Sequence, residues 1–182
     1  ENYLKQITFR DSIKARLIKV WNYERYGAPV KKGGKYFFFK NDGLQNQDVL
    51  YVIDSLGAQP RIVIDPNLFS QDGTVALTQY DITEDGKYLA YSLSKGGSDW
   101  NEIFVKDLTT GEDLIDHLEW VKFSAIAWYK KGFYYSRYPE PQSGQQLTSR
   151  NNNHKIFYHT LGKPQESDIL IFQDTEHPER SL

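Results

Sequence analysis

DVLYVIDSLG (48–57), NEIFVKDLTTG (101–111) and HKIFYHTLG (154–162) decide the fold of this chain. Each is a short run of β-branched and aromatic residues closed by a turn ending in glycine. Tyr51, Phe104 and Phe157 occupy matching places, 53 residues apart at each step. A second run precedes each one: GGKYFFFK (33–40), DGKYLAYSL (85–93) and KGFYYSRY (131–138), each with a glycine-containing turn ahead of an aromatic stretch. TVALTQYDI (74–82), KFSAIAWY (122–129), RIVID (61–65) and DILIF (168–172) supply further strands. The unit is therefore four short strands repeated at about 50 residues, the period of β-propeller blades. A helical solenoid would show 3.6-residue periodicity inside each unit, and a plain sandwich would have to produce two equal spacings by chance. The expected fold is all-β: a partial β-propeller of about three four-stranded antiparallel blades behind a short N-terminal helix.

That helix is read from ENYLKQITFRDSIKARLIKVW (1–21). Ile13, Leu17, Val20 and Trp21 fall on one face of a 3.6-residue helix, with Lys14, Arg16 and Lys19 off it. Asp11 or Ser12 is the expected N-cap. The apolar face needs a partner, either the sheets or a further domain.

Composition narrows the classes. Of 182 residues 15% are aromatic, with 13 Tyr and 10 Phe, which favours strands. The net charge of −2 comes from interspersed charges without a basic stripe, so nucleic acid is not an expected partner. Apolar runs are too short to span a bilayer and no basic-then-apolar leader opens the chain, so no membrane partner is expected either. The expectation is a soluble protein of the cytoplasm or, in a bacterium, the periplasm. Cys is absent, and so is Met, even at position 1, which points to a processed or partial chain.

Asp85-Gly86 and Asp72-Gly73 read as type I′ or bulged hairpin turns, because glycine accepts positive φ. Asn41-Asp42-Gly43 reads as a loop between the first two strands of a blade, since the residues that follow do not have EF-hand oxygen spacing. Catalytic signals are missing. There is no Gly-x-Ser-x-Gly elbow, for Ser98 has Gly97 before it but Asp99 and Trp100 after it. His154 and His159, five apart, would point to opposite faces of one strand, and all four histidines read as surface or hydrogen-bonded. No phosphate loop or dinucleotide fingerprint occurs, and no cofactor or metal is expected.

WNYERYGAPVKKGGKYFFFKNDGLQNQDVLYV, DGTVALTQYDITEDGKYLAYSLSKGGSDW and EWVKFSAIAWYKKGFYYSRYP resemble the front part of the prolyl oligopeptidase family. The similarity runs over nearly the whole chain; NDGLQNQDVLYV and GSDW are its most specific parts, and it weakens over 139–153 and near the C-terminus. The resemblance implies a serine peptidase cleaving short peptides after proline, with an α/β-hydrolase domain capped by a seven-bladed propeller. Residues 1–22 would then pack on that hydrolase domain, and 23–182 would be the first blades, with no catalytic residue in this stretch. By position, Phe123 matches an aromatic lining the pocket for the residue upstream of the substrate proline. Asp99 and Trp100 match the domain interface, the aspartate beside an arginine of the hydrolase domain. The implied partners are that C-terminal domain of the same protein and proline-containing oligopeptides.

From pattern alone, Phe123 reads first as a blade-core residue, which the resemblance reverses, and Trp100 reads equally as inter-blade packing. The competing class is a stand-alone propeller that binds a partner and catalyses nothing. A Gly-Pro substrate is expected to be turned over by the full-length protein and not by residues 1–182. Open edges at both ends of an incomplete ring are expected to invite association.

Overall fold

The computed structural model describes residues 2–182. Two helices, α1 (Asn2–Lys5) and α2 (Arg10–Trp21), precede thirteen strands. The first blade contains β1 (Arg25–Tyr26), β2 (Val30–Lys32), β3 (Lys35–Asn41), β4 (Val49–Ile53) and β5 (Arg61–Ile64). The second is β6 (Val75–Ile82), β7 (Tyr88–Lys95), β8 (Asn101–Asp107) and β9 (Asp113–Val121). The third is β10 (Ala127–Tyr129), β11 (Gly132–Arg137), β12 (Lys155–Thr160) and β13 (Ile169–Gln173). All pairings are antiparallel, and within a blade each strand pairs with the next in the chain except β1, which pairs with β3.

In the first blade β1 and β2 together act as one innermost strand. Both pair with β3, and Gly27-Ala28-Pro29 interrupts them, the proline lacking an N–H for the ladder. The Asn41-Asp42-Gly43 loop therefore joins the second and third strands, one step later than its sequence reading. Asp85-Gly86 closes the β6–β7 hairpin with Gly86 at φ 69°. Asp72-Gly73 does not close a hairpin: it lies in the crossing from the first blade to the second.

The 53-residue repeat is a cross-strand aromatic pair. Phe38 faces Tyr51, Tyr91 faces Phe104 and Tyr135 faces Phe157, always between the second and third strands of a blade. Ring centroids are 5.9, 5.7 and 6.0 Å apart. Directly opposed aromatics of this kind pin register at about 0.5–1 kcal/mol per pair. In the second and third blades the strand-two tyrosine also donates its hydroxyl to an aspartate at the start of strand four, Tyr91 to Asp113 (3.0 Å) and Tyr135 to Asp168 (2.8 Å).

The core lies between blades. Phe37, Leu50, Val52 and Ile64 of the first blade meet Ile82, Leu89, Tyr91 and Leu93 of the second. Ala90, Ile103, Val105, Leu118 and Val121 of the second meet Ile126, Phe133 and Tyr135 of the third. β7 is thus covered on both faces, which is why YLAYSL is apolar almost throughout instead of alternating. Neighbouring turns also touch. Gly33 (φ 55°) donates its N–H to the Glu84 carbonyl at 2.9 Å, and a Cβ there would overlap the Asp85 carbonyl. The second and third blades are joined by a single backbone pair, Arg137 with Val121.

One expectation about the helix needs correction. The N-cap of α2 is Phe9, with no side-chain cap, and Asp11 and Ser12 lie inside the helix, where Asp11 still suits the first-turn dipole. The apolar face of α2 does not dock on the sheets: Ile13, Leu17, Val20 and Trp21 are all about half exposed. At the other end, all of Ile169, Leu170, Ile171 and Phe172 on β13 are exposed on both faces of an edge strand.

Candidate functional site

Strand direction divides the connections between two ends. The loops 96–100, 122–126 and 138–154 lie at one end, and the turns 83–87, 108–112, 130–131 and 161–168 at the other. The sequence candidates Asp99, Trp100 and Phe123 all sit at the first end.

Gly96 and Gly97, at φ 62° and 71°, turn the 96–100 loop so that three more residues fit between β7 and β8. Ser94 donates to the Ser98 carbonyl (2.6 Å) and Trp100 N–H to Ser98 Oγ (3.1 Å), which fixes the loop from within. The 122–126 loop is held to β11 by Ser136 N–H donating to Ser124 Oγ at 2.8 Å. A bulge in β6 between Leu77 and Gln79 turns Thr78 toward both loops, where its hydroxyl lies 2.6 Å from Asn101 Oδ1.

Asp99 and Phe123 line one pocket of about 390 Å³, together with Thr78, Ser92, Asn101 and Ser124. Phe123 is not a core residue. Its side chain is 57% exposed and its backbone stands at φ 55°, the left-handed region that non-glycine residues rarely adopt. Trp120, three residues earlier, stands at φ 61°. Two left-handed non-glycine residues this close together store strain beside the pocket.

Trp100 turns away from that pocket. Its ring meets Trp120 and Tyr138 edge-on at 5.8 and 6.3 Å, and its Nε1–H donates to the Gln146 carbonyl at 2.7 Å. This is inter-blade packing, with the 138–154 loop folded over it. Tyr138 in turn stacks on the buried His154 at 4.3 Å, whose pKa is lowered by burial.

The residue that joins all three candidates is Lys122. Its Nζ lies 3.6 Å from Asp99 Oδ2 and donates to Asn151 Oδ1 at 3.1 Å. The same ammonium lies 5.0 Å from the Trp100 ring and 5.3 Å from the Phe123 ring. With only 8% of the residue exposed, these contacts act with little screening. The sequence offered a signal, a lysine between Val121 and Phe123 at a strand end, but lysines in such places ordinarily reach solvent.

A second polar cluster lies between the second and third blades. His159, fully buried, has Nε2 2.8 Å from Asp116 Oδ1 and Nδ1 2.7 Å from Asp168 Oδ1. Gly162 N–H also donates to Asp116. Burial pulls the imidazole pKa down, but the two carboxylates outweigh it and raise it to about 9. With both ring nitrogens donating to carboxylates, this histidine has no free base nitrogen to serve a serine hydroxyl. His117 pairs with Glu102 at the surface. Among the described residues no group of three or more His, Asp or Glu side chains could hold a metal, and no helix is long and apolar enough to cross a membrane.

The sequence model of the family described as prolyl oligopeptidase, N-terminal β-propeller domain, matches residues 1–182. The prolyl endopeptidase of Elizabethkingia meningoseptica is 44% identical over all of this chain and 26% of its own length. The prolyl oligopeptidase ophP of Omphalotus olearius is 35% identical over 97% of this chain and 27% of its own. Among solved structures, prolyl oligopeptidase B from Galerina marginata, bound to a 35mer hydrolysis and macrocyclization substrate, superposes with a TM-score of 0.87. It is 31% identical over 98% of this chain and 28% of that one. The chain thus spans about a quarter of the length of the relatives it matches.

Proposed function

Because this chain belongs to the prolyl oligopeptidase family, through its N-terminal β-propeller domain, we propose that it is the lid portion of a serine oligopeptidase that cleaves short peptides after proline. In this reading the catalytic serine, aspartate and histidine belong to a C-terminal α/β-hydrolase domain of the same protein. The propeller covers them, admits oligopeptides and keeps bulk water from the reaction. Residues 1–22 pack on that domain, which gives α2 the partner its exposed apolar face lacks.

The observation that carries the proposal is the shared pocket of Asp99 and Phe123. An exposed phenyl ring, held in a left-handed backbone and backed by a buried ammonium, offers a flat apolar wall to a side chain upstream of the scissile proline. The Asp99 carboxylate, largely open to solvent, is available to orient a cationic group from the facing domain by a charge-assisted pair. Trp100 serves the site indirectly, as the aromatic wall beneath Lys122.

A chimera tests this. With this chain replacing the matching quarter of the E. meningoseptica prolyl endopeptidase, a chromogenic Gly-Pro peptide should be hydrolysed. Phe123→Ala in the chimera should reduce kcat/KM for peptides with a bulky upstream side chain by about tenfold, and for minimal substrates far less. A folded chimera without turnover would defeat the lid reading. Equal losses on both peptides would remove Phe123 from the pocket.

A further inference from the structure

A cavity of about 680 Å³ lies at the end opposite the Asp99–Phe123 pocket, between the second and third blades. Tyr88, Trp128 and Leu161 form its apolar lining, with Trp128 fixed by its Nε1–H donating to the Asp81 carbonyl at 2.9 Å. Lys130 and Lys131, on the β10–β11 turn, and Lys163, on the turn after β12, edge it. Glu84 and Asp85 stand on the facing turn, but both are already paired, with Lys32 and Lys87. None of Lys130, Lys131 and Lys163 makes an ion pair among the described residues, so the mouth of the cavity carries surplus positive charge.

Backbone geometry supplies a second, independent observation. β10 and β11 are joined by the two-residue turn Lys130-Lys131, with Tyr129 opposite Gly132, and only Lys130 has positive φ, at 53°. A two-residue hairpin with its left-handed residue first is the arrangement in which glycine is the usual choice. Lysine there is strained, and strained residues of this kind persist where the side chain is needed. Its Nζ lies over the Tyr129 ring at 5.0 Å, which holds the charge beside the cavity instead of letting it trail into solvent.

We propose that this inter-blade cavity binds an acidic peptide segment, its apolar or aromatic side chain entering between Tyr88, Trp128 and Leu161 while its carboxylates meet Lys130, Lys131 and Lys163. The volume suits a few residues of extended chain. The apolar floor selects against a bare inorganic anion, and the unpaired lysines select against a basic peptide. The site depends neither on the catalytic domain nor on the peptidase reading, since every residue in it lies within this chain.

The test is fluorescence anisotropy of a fluorescein-labelled Asp-Glu-Phe-Glu-Asp peptide titrated with the 182-residue chain. Saturable binding that weakens with salt is expected, with no binding of Lys-Arg-Phe-Arg-Lys. K130E/K163E should weaken the acidic peptide by about tenfold or more, while the charge-matched K14E/K19E, on the exposed face of α2, leaves it unchanged. Lys130→Gly guards against misfolding: it should raise Tm by about 2 °C by relieving the left-handed strain, and yet weaken the peptide several-fold. Equal binding of both peptides, indifference to K130E/K163E, an equal loss through K14E/K19E, or unchanged affinity in the glycine variant would each overturn the proposal.

Discussion

Lys122 Nζ stands 3.6 Å from Asp99 Oδ2, although the two residues belong to different loops and different connections between strands. The pair is unequal: the ammonium end is nearly enclosed and the carboxylate mostly open. Lys122→Met keeps the stem packing but leaves Asn151 and the two aromatic faces without their cation, and should cost about 1.5–3 kcal/mol in urea unfolding. It should also change the near-ultraviolet circular dichroism of the Trp100–Trp120 pair. Asp99→Asn, removing the exposed partner, should cost under about 1 kcal/mol. Equal costs for the two would mean that the cation is not the organising group.

Phe123→Gly separates a pocket residue from a core residue. The exposed ring contributes little burial, while its left-handed backbone is strained by about 1 kcal/mol or more. The substitution should therefore leave stability level or raise it by about 1 kcal/mol. A loss of about 3–5 kcal/mol, the usual cost of deleting a buried phenyl, would place the ring in the core after all.

The Asp116–His159–Asp168 cluster gives stability a pH dependence of defined sign. The imidazole pKa is raised in the folded state to about 9 from 6.5, so its contribution is complete below 6.5 and is lost as pH rises through about 9. Tyr135, which donates to Asp168, is pushed upward by burial and stays neutral across that window. Thermal melts between pH 6 and 10 should show Tm falling through that window. His159→Gln, which strands two buried carboxylates, should lower stability by about 3–5 kcal/mol and flatten the slope. A slope that survives the substitution would assign it to other groups.

Much of the fold was legible because its repeat is covalently local. The Phe38–Tyr51, Tyr91–Phe104 and Tyr135–Phe157 pairs join neighbouring strands, so their spacing survives in the sequence as a period. β9 was not legible, although it runs nine residues. Its inward positions include Asp116, a carboxylate where alternation calls for an apolar side chain, and the group that balances it, His159, lies 43 residues away. The pocket divides in the same way. Asp99 and Phe123 were reached through the family resemblance, but Lys122 was passed over, because nothing local to it says that the Trp100 ring, from another loop, will join the neighbouring Phe123 ring at its ammonium.

The exposed edge of β13 carries a prediction for the chain studied by itself. Ile169, Leu170, Ile171 and Phe172 lie on an edge strand that pairs with β12 on one side only and has both faces open. Sedimentation should show concentration-dependent association, and Ile171→Lys should shift the population toward monomer, since a charge on an edge strand opposes pairing. A monodisperse monomer at high concentration, indifferent to the substitution, would show that this edge is not adhesive.

Gly33 sets a tolerance for everything that follows it. Its backbone lies so near the Asp85 carbonyl that one added carbon would have to wedge the first two blades apart. In a circular array each angular error is inherited by every later member, and the seam where the circle meets itself receives the sum. In the closed propeller proposed for the whole protein, a substitution at this turn would therefore show its largest displacement not where it is made but at that seam, as a misfit between the last blade and the first.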